Sequence, residues 1–171
     1  ESVHSYTNDQ NLIDNFHKKV RRGRSAALNM VITETGAGKA VGQVLPELKG
    51  KLTANAVRVP TPNVSLAIIN LRFAKDITLE ELNDFLRQKA FHSDLKEQIG
   101  FTNSPEVVST DFVGDRHAGI IDSAATIVNG NKCVLYVWYD NEFGYTAQLL
   151  GLAKEMVGLT YQRYPNFSES T

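Results

Sequence analysis

Apolar and polar residues alternate with a two-residue period in the middle and C-terminal parts of the chain, and recur at three- and four-residue intervals between them. The runs NAVRVP and NVSLAIINLRF, joined by a Thr-Pro pair, set Ile69, Leu71 and Phe73 against Asn70 and Arg72, which predicts two long adjacent strands. HAGIIDSAATIVNGNKCVLYVWYDNE reads as three short strands, with Asp-Ser at the first turn and Asn-Gly, the strongest short hairpin signal, at the second. An antiparallel meander is expected there. In AGKAVGQVLPELKGKL the positions of Ala40, Val41, Val44, Leu45 and Leu48 predict a helix from about 37 to 48, weakened by Gly42 and Pro46. ITLEELNDFLRQKAF opens with Thr78 three residues before Glu81, a capping box, and continues with Leu79, Leu82 and Leu86 on one stripe. Leu149, Leu152, Ala153 and Met156 predict a terminal amphipathic helix that Gly158 ends. Near the N-terminus a strand end precedes NDQNLIDNF, a short helix by its pattern, and a long irregular connection runs from His17 to Gly38.

Strands joined by hairpins, with helices between some of them, predict an α+β fold: a mostly antiparallel sheet covered by helices on one face. Ile68, Val134, Tyr136 and Trp138 fall on the opposite phase, which predicts a second sheet face packed on another subunit. The 171 residues suit one domain, with residues 1–159 as its body and 160–171 as a polar tail.

Composition narrows the function. A net charge of −1 gives no overall field for nucleic acid or an anionic membrane. No run is long and apolar enough to span a bilayer, and no leader pattern opens the chain, so a cytoplasmic location is expected. The single cysteine excludes an internal disulfide, and the four histidines lack metal-ligand spacing, so no metal is expected. Cys133 shares a strand face with Leu135 and Val137, which suits a buried thiol better than a nucleophile. There is no GxGxxG fingerprint, so dinucleotide binding by that mechanism is not expected of these residues alone.

Some polar residues have the chemistry of a site. His4 is a proton-transfer residue, and Thr35-Gly36 before a helix is either an anion site or an ordinary N-cap. Arg58 lies between valines in VRVP, where a cation must find a partner or protrude into a cleft. Near Thr7 and Thr35 it would complete a phosphate clamp. The run Lys18, Lys19, Arg21, Arg22 and Arg24 is a solvated face, a weak polyanion patch or part of a functional loop.

VHSYT, RRGRSAALN, TGAGKAVGQVLPELKGKLTANAVRVPTPNVS, VVSTDFVGD and WYDNEFGY, in that order, resemble successive segments of the catalytic domain of glyceraldehyde-3-phosphate dehydrogenase, from about residue 3 to residue 157. The resemblance implies an oxidoreductase that uses NAD, NADP not being excluded, and turns glyceraldehyde 3-phosphate and inorganic phosphate into 1,3-bisphosphoglycerate through a cysteine thioester. In that family an N-terminal NAD-binding domain and the nucleophilic cysteine precede the histidine motif. Neither is found in these residues, so the chain alone is expected to be inactive. Cys133 does not match the nucleophile.

By the same resemblance His4 is the catalytic base, and Thr7 and Arg58 hold the substrate's phosphate. Thr35, Gly36 and Arg22 hold the inorganic phosphate, with Arg21 and Arg24 competing with Arg22 for that alignment. Asn141 and Tyr145 match residues beside the nicotinamide ring. Residues from about Tyr6 to Leu28 match a loop that lines a neighbouring subunit's cofactor cleft in a homotetramer, which makes nucleic acid an unlikely partner for the basic run. Ile32 stands where relatives commonly have proline. Two alternatives are an erythrose-4-phosphate dehydrogenase domain, disfavoured by the retained Thr35-Gly36 pair, and a non-catalytic oligomerisation module.

Overall fold

The computed structural model describes residues 1–159. Its centre is a seven-stranded sheet formed by β1 (Ser2–Ser5), β2 (Val31–Thr33), β3 (Ala56–Val59), β4 (Ser65–Arg72), β5 (Ile99–Thr102), β6 (Gly119–Asn129) and β7 (Lys132–Tyr139) in the order β2-β3-β1-β4-β7-β6-β5. Four of the six pairings are antiparallel, and β1–β3 and β5–β6 are parallel. The helices are α1 (Ala37–Val44), α2 (Leu79–His92) and α3 (Phe143–Met156). The fold is α+β with a mixed, mainly antiparallel sheet, in agreement with the hydrophobic pattern. The polar tail, residues 160–171, lies outside the described residues.

The two apolar runs around Thr61-Pro62 do form strands, but β3 and β4 are not neighbours. β1 lies between them, in parallel register with β3 (His4 opposite Arg58) and antiparallel to β4 (Ser2 opposite Ala67). Pro60 and Pro62 deny the connection two amide donors, and the connecting chain passes the end of β1, where the Tyr6 N–H donates to the Thr61 carbonyl. Local alternation cannot announce a strand inserted from 50 residues upstream.

A second difference concerns the meander. Residues 119–129 form one strand, and the Asp-Ser pair is not a turn. Asp122 gathers local donors: its Oδ1 accepts the Ala125 N–H at 3.1 Å, its carbonyl accepts the Thr126 hydroxyl at 2.9 Å, and the ladder with β7 shifts register between Asp122 and Ile127. Asp-Ser therefore makes an irregularity within β6. The Asn129-Gly130 turn forms as expected, with Gly130 at φ +59°.

α2 begins at the expected capping box. The Thr78 hydroxyl accepts the Glu81 N–H at 3.1 Å, and the Glu81 carboxylate accepts the Thr78 N–H at 2.8 Å. Leu82 packs against Cys133 and Leu135, so α2 covers one face of the sheet. α1 and the following short 3₁₀ turn, Pro46–Leu48, occupy the region expected for one longer helix. α3 is held by its Gln148 amide, which donates to the carbonyls of Glu97 and Arg116, and leaves Leu149, Leu152 and Met156 more than half exposed. The NDQNLIDNF segment is an irregular turn and not a helix, because its carbonyls are used by the facing strand of the loop: the N–H of Ala26 donates to the Asn11 carbonyl and the Ser25 hydroxyl to the Leu12 carbonyl. On the second sheet face, Trp138 is covered within the chain by stacking on Phe112, their ring centres 5.5 Å apart.

Candidate active site

The face that α2 covers at one end of the sheet carries His4 and Arg58 at the other. Paired residues of neighbouring strands point to the same side, and β1 sets His4 beside Arg58. The Arg58 Nη1 donates to the Thr7 hydroxyl at 2.9 Å, which joins residues 51 positions apart. Arg58 is 9% exposed, and burial, followed by the nearby Arg22 charge, lowers its pKa below the usual arginine value. A guanidinium held in a partly dry setting with one N–H on a hydroxyl can offer its remaining N–H groups to an anion.

His4 lies within ring contact of Tyr139, the centroids 6.2 Å apart. Its Nδ1 is 2.6 Å from the Ser5 carbonyl oxygen, which can only accept, so the neutral ring carries its proton on Nδ1 and leaves Nε2 as the basic atom.

Arg22 is buried by the loop that contains it. Its Nε and Nη2 donate to the Thr33 hydroxyl at 3.0 and 2.7 Å, and its Nη1 pairs with Asp9. The loop closes tightly at Gly23, where a Cβ would meet the Asn15 carbonyl oxygen at 2.5 Å. The Thr35 hydroxyl accepts the Ala37 N–H at 3.2 Å at the start of α1, and Gly36 is exposed beside it. Arg58 and Thr7 are joined directly, while among the described residues Thr35 and Gly36 share no hydrogen bond with Thr7, Arg22 or Arg58. The basic run is divided: Arg22 points inward, while Arg24 pairs with Asp14 at the surface.

Asn141 follows β7. Its Oδ1 accepts the hydroxyls of Ser5 at 2.9 Å and Ser65 at 3.0 Å. Its amide N–H bonds have no acceptor among the described residues and can donate to a ligand. Tyr145, on the first turn of α3, is 71% exposed and is not brought against these groups.

Three contributors had weak sequence signals. Ser5 and Ser65 look like ordinary strand residues in sequence. Asp140 is 2% exposed, and its carboxylate accepts the N–H groups of Gly114, Glu142 and Phe143 and the Asn63 amide, all at 2.8–3.0 Å. Burial alone would raise its pKa, but these four donors outweigh burial and lower it. Beside Thr7 a cavity of about 710 Å³ is lined by Tyr6, Gln10, Pro62 and Glu142 among others. The Gln10 amide, 5% exposed, has no hydrogen-bond partner among the described residues.

Cys133 lies elsewhere. It is 3% exposed against Leu82, and burial raises its thiol pKa. It is six residues along β7 from Tyr139, on the order of 20 Å at the rise of a strand. No cluster of histidine, cysteine or carboxylate side chains suited to a metal is present among the described residues.

The model of the glyceraldehyde 3-phosphate dehydrogenase C-terminal domain matches residues 1–141. The chain belongs to this family. It is 65% identical over 165 residues to a glyceraldehyde-3-phosphate dehydrogenase-like protein of Pseudomonas aeruginosa (strain UCBPP-PA14), covering 96% of this chain and 36% of that protein. It is 46% identical to the glyceraldehyde-3-phosphate dehydrogenase of Borreliella burgdorferi (91% of this chain, 47% of that one) and 47% identical to glyceraldehyde-3-phosphate dehydrogenase 1 of Bacillus subtilis (89% and 45%). The chain thus spans less than half the length of these relatives. Membership makes it a domain of an oxidoreductase family, and no described helix is long and apolar enough to cross a membrane.

Proposed function

We propose that residues 1–159 are the catalytic domain of a phosphorylating glyceraldehyde-3-phosphate dehydrogenase, and that the Arg58–Thr7 bond beside His4 marks the site for the substrate's phosphate. The placement of Arg58 carries this reading: an arginine that is 9% exposed, bonded to the Thr7 hydroxyl and paired across one strand ladder with an imidazole whose Nε2 is free.

In this reading Arg58 and Thr7 bind the phosphate of glyceraldehyde 3-phosphate and so fix its aldehyde carbon relative to His4. The attacking thiolate comes from a cysteine outside these residues, because Cys133 is buried with a raised pKa. His4 stabilises that thiolate as imidazolium, gives its Nε2 proton to the aldehyde oxygen as the thiolate adds to the carbonyl carbon, and takes the same hydroxyl proton back on Nε2 as the adduct is oxidised to the thioester, while Nδ1–H stays on the Ser5 carbonyl. Thr35, Gly36 and the N–H groups opening α1 receive inorganic phosphate, with Arg22 as the nearby positive charge. When bound, NAD supplies the hydride acceptor. Asn141 suits it: the oxygen end of its amide is already occupied by two hydroxyls, and its N–H end is free to hold the nicotinamide carboxamide. Tyr145 would approach the cofactor with the NAD-binding part of the enzyme in place.

That part would also cover α3, whose exposed leucines otherwise face water. Exposed Leu12, Ile13, Phe16 and Val20 on the loop after Thr7 suit a subunit interface in a homotetramer.

The test is substrate discrimination in the complete enzyme. Arg58→Ala is expected to raise KM for glyceraldehyde 3-phosphate at least ~10-fold, in line with the loss of a charged hydrogen bond, and to leave glyceraldehyde without phosphate nearly unaffected. Equal losses on both substrates would refute the phosphate assignment. The 171-residue chain alone is expected to reduce no NAD, and turnover by pure chain would refute the external nucleophile.

A further inference from the structure

The largest fully buried side chains of the described residues are Asp140, Ser5 and Ser65, and none of them is apolar. Folding usually reserves such positions for hydrocarbon, because an imperfectly satisfied buried hydroxyl costs free energy. All three surround one residue. Ser5 and Ser65 both donate to Asn141 Oδ1, while Asp140 anchors the turn that carries Asn141 through the N–H groups of Glu142 and Phe143.

Ser65 has two bonds that differ in kind. Its hydroxyl accepts the Ser5 N–H at 3.2 Å and donates to Asn141 at 3.0 Å. One oxygen thus ties the strand that carries His4 to the amide of Asn141. The backbone entering Ser65 is also unusual. Val64 stands at φ +64°, a region that β-branched residues avoid, and is held there by the Asn63 side chain on its N–H and by packing against Phe112 and Ile120. With the Ser5 and Ser65 hydroxyls both on Oδ1, the amide turns its nitrogen away from the two serines and leaves its N–H bonds open to a ligand.

We infer that Ser5 and Ser65 are positioning residues that hold the Asn141 carboxamide oxygen-inward, present its N–H bonds to the nicotinamide carboxamide, and keep that amide in fixed relation to His4. The inference rests on the proposed role of Asn141 and adds to it the parts that orient the amide.

The experiment compares Asn141→Ala, Ser5→Ala, Ser65→Ala and Ser65→Thr in the complete enzyme. NAD affinity is measured by calorimetry, KM separately for NAD and glyceraldehyde 3-phosphate, and solvent exchange of the Asn141 side-chain N–H protons by NMR with labelled asparagine. Ser65→Ala is expected to weaken NAD binding about 5-fold, the worth of one neutral hydrogen bond, to accelerate exchange of the Asn141 amide, and to leave KM for glyceraldehyde 3-phosphate unchanged. Ser65→Thr, which keeps the hydroxyl, restores affinity. Ser5→Ala, which leaves Ser65's bond to the Ser5 backbone intact, is the variant that decides if Ser65→Ala fails to fold. If Asn141→Ala weakens NAD binding but neither serine variant does, the positioning inference is overturned while the assignment of Asn141 stands. If Asn141→Ala leaves NAD affinity unchanged, that assignment falls, and the inference falls with it.

Discussion

Replacing Asp140 by asparagine changes one oxygen to an amide nitrogen and little else in shape, so its cost measures what the carboxylate does. Oδ1 accepts the N–H groups of Glu142 and Phe143, and Oδ2 accepts the Gly114 N–H and the Asn63 amide. Asparagine can keep only one of these pairs. Whichever way it turns, its NH2 group faces two donors at hydrogen-bond distance. Each lost bond to a charged acceptor contributes about 1.5–3 kcal/mol, so the two lost in Asp140→Asn are expected to destabilise the chain by roughly 3–6 kcal/mol. That is a large part of the roughly 5–15 kcal/mol of a typical domain. Urea unfolding followed by fluorescence of Trp138, the one tryptophan, measures it directly. The pH dependence gives an independent check. The folded pKa of Asp140 is lowered, so its contribution is fully present above the unfolded carboxylate value near ~3.9 and is lost as pH falls through the lower folded value. The wild-type midpoint should therefore fall more steeply with acid than that of Asp140→Asn. A loss below about 1 kcal/mol, or parallel acid curves, would refute the argument that the carboxylate organises this corner.

Two further outcomes follow from packing. Cys133, buried with a raised pKa, is expected to resist a thiol reagent in the native chain and to react at the rate of unfolding, and fast reaction at neutral pH would contradict its burial. Gly144→Ala would bring a Cβ to 2.7 Å from the His117 carbonyl oxygen, so α3 must shift, and a melting-temperature loss of several degrees is expected, whereas exposed Gly151→Ala, with open space around it, should be neutral or stabilising.

Much of this could be read from the sequence where the cause is local. The capping box of α2, the Asn-Gly turn, the end of the terminal helix at Gly158 and the burial of Cys133 depend on neighbours in the chain, and all are present. The insertion of β1 between β3 and β4 is decided by contacts across 50 to 60 residues, and alternation within either strand is the same with or without it. Asp122 misled for a different reason. Asp-Ser is turn chemistry, and the aspartate does collect nearby donors, but the Trp138 indole N–H also reaches its Oδ2 at 3.1 Å and keeps the strand running on. At the site, residue types suggested His4, Arg58 and Thr7. The serines that hold Asn141 carried no signal, because a buried strand serine looks the same in sequence as an exposed one.

The central position of β1 has a consequence for the order of assembly. Without it, β2 and β3 form one hairpin-like pair and β4, β7, β6 and β5 another group, and no hydrogen-bonded ladder joins them. Each group can form from strands that find each other independently, but the sheet becomes continuous only when the four residues of β1 pair with β3 on one edge and β4 on the other. Those residues include His4 and Ser5. The step that closes the sheet is therefore also the step that sets His4 beside Arg58 and Ser5 on Asn141.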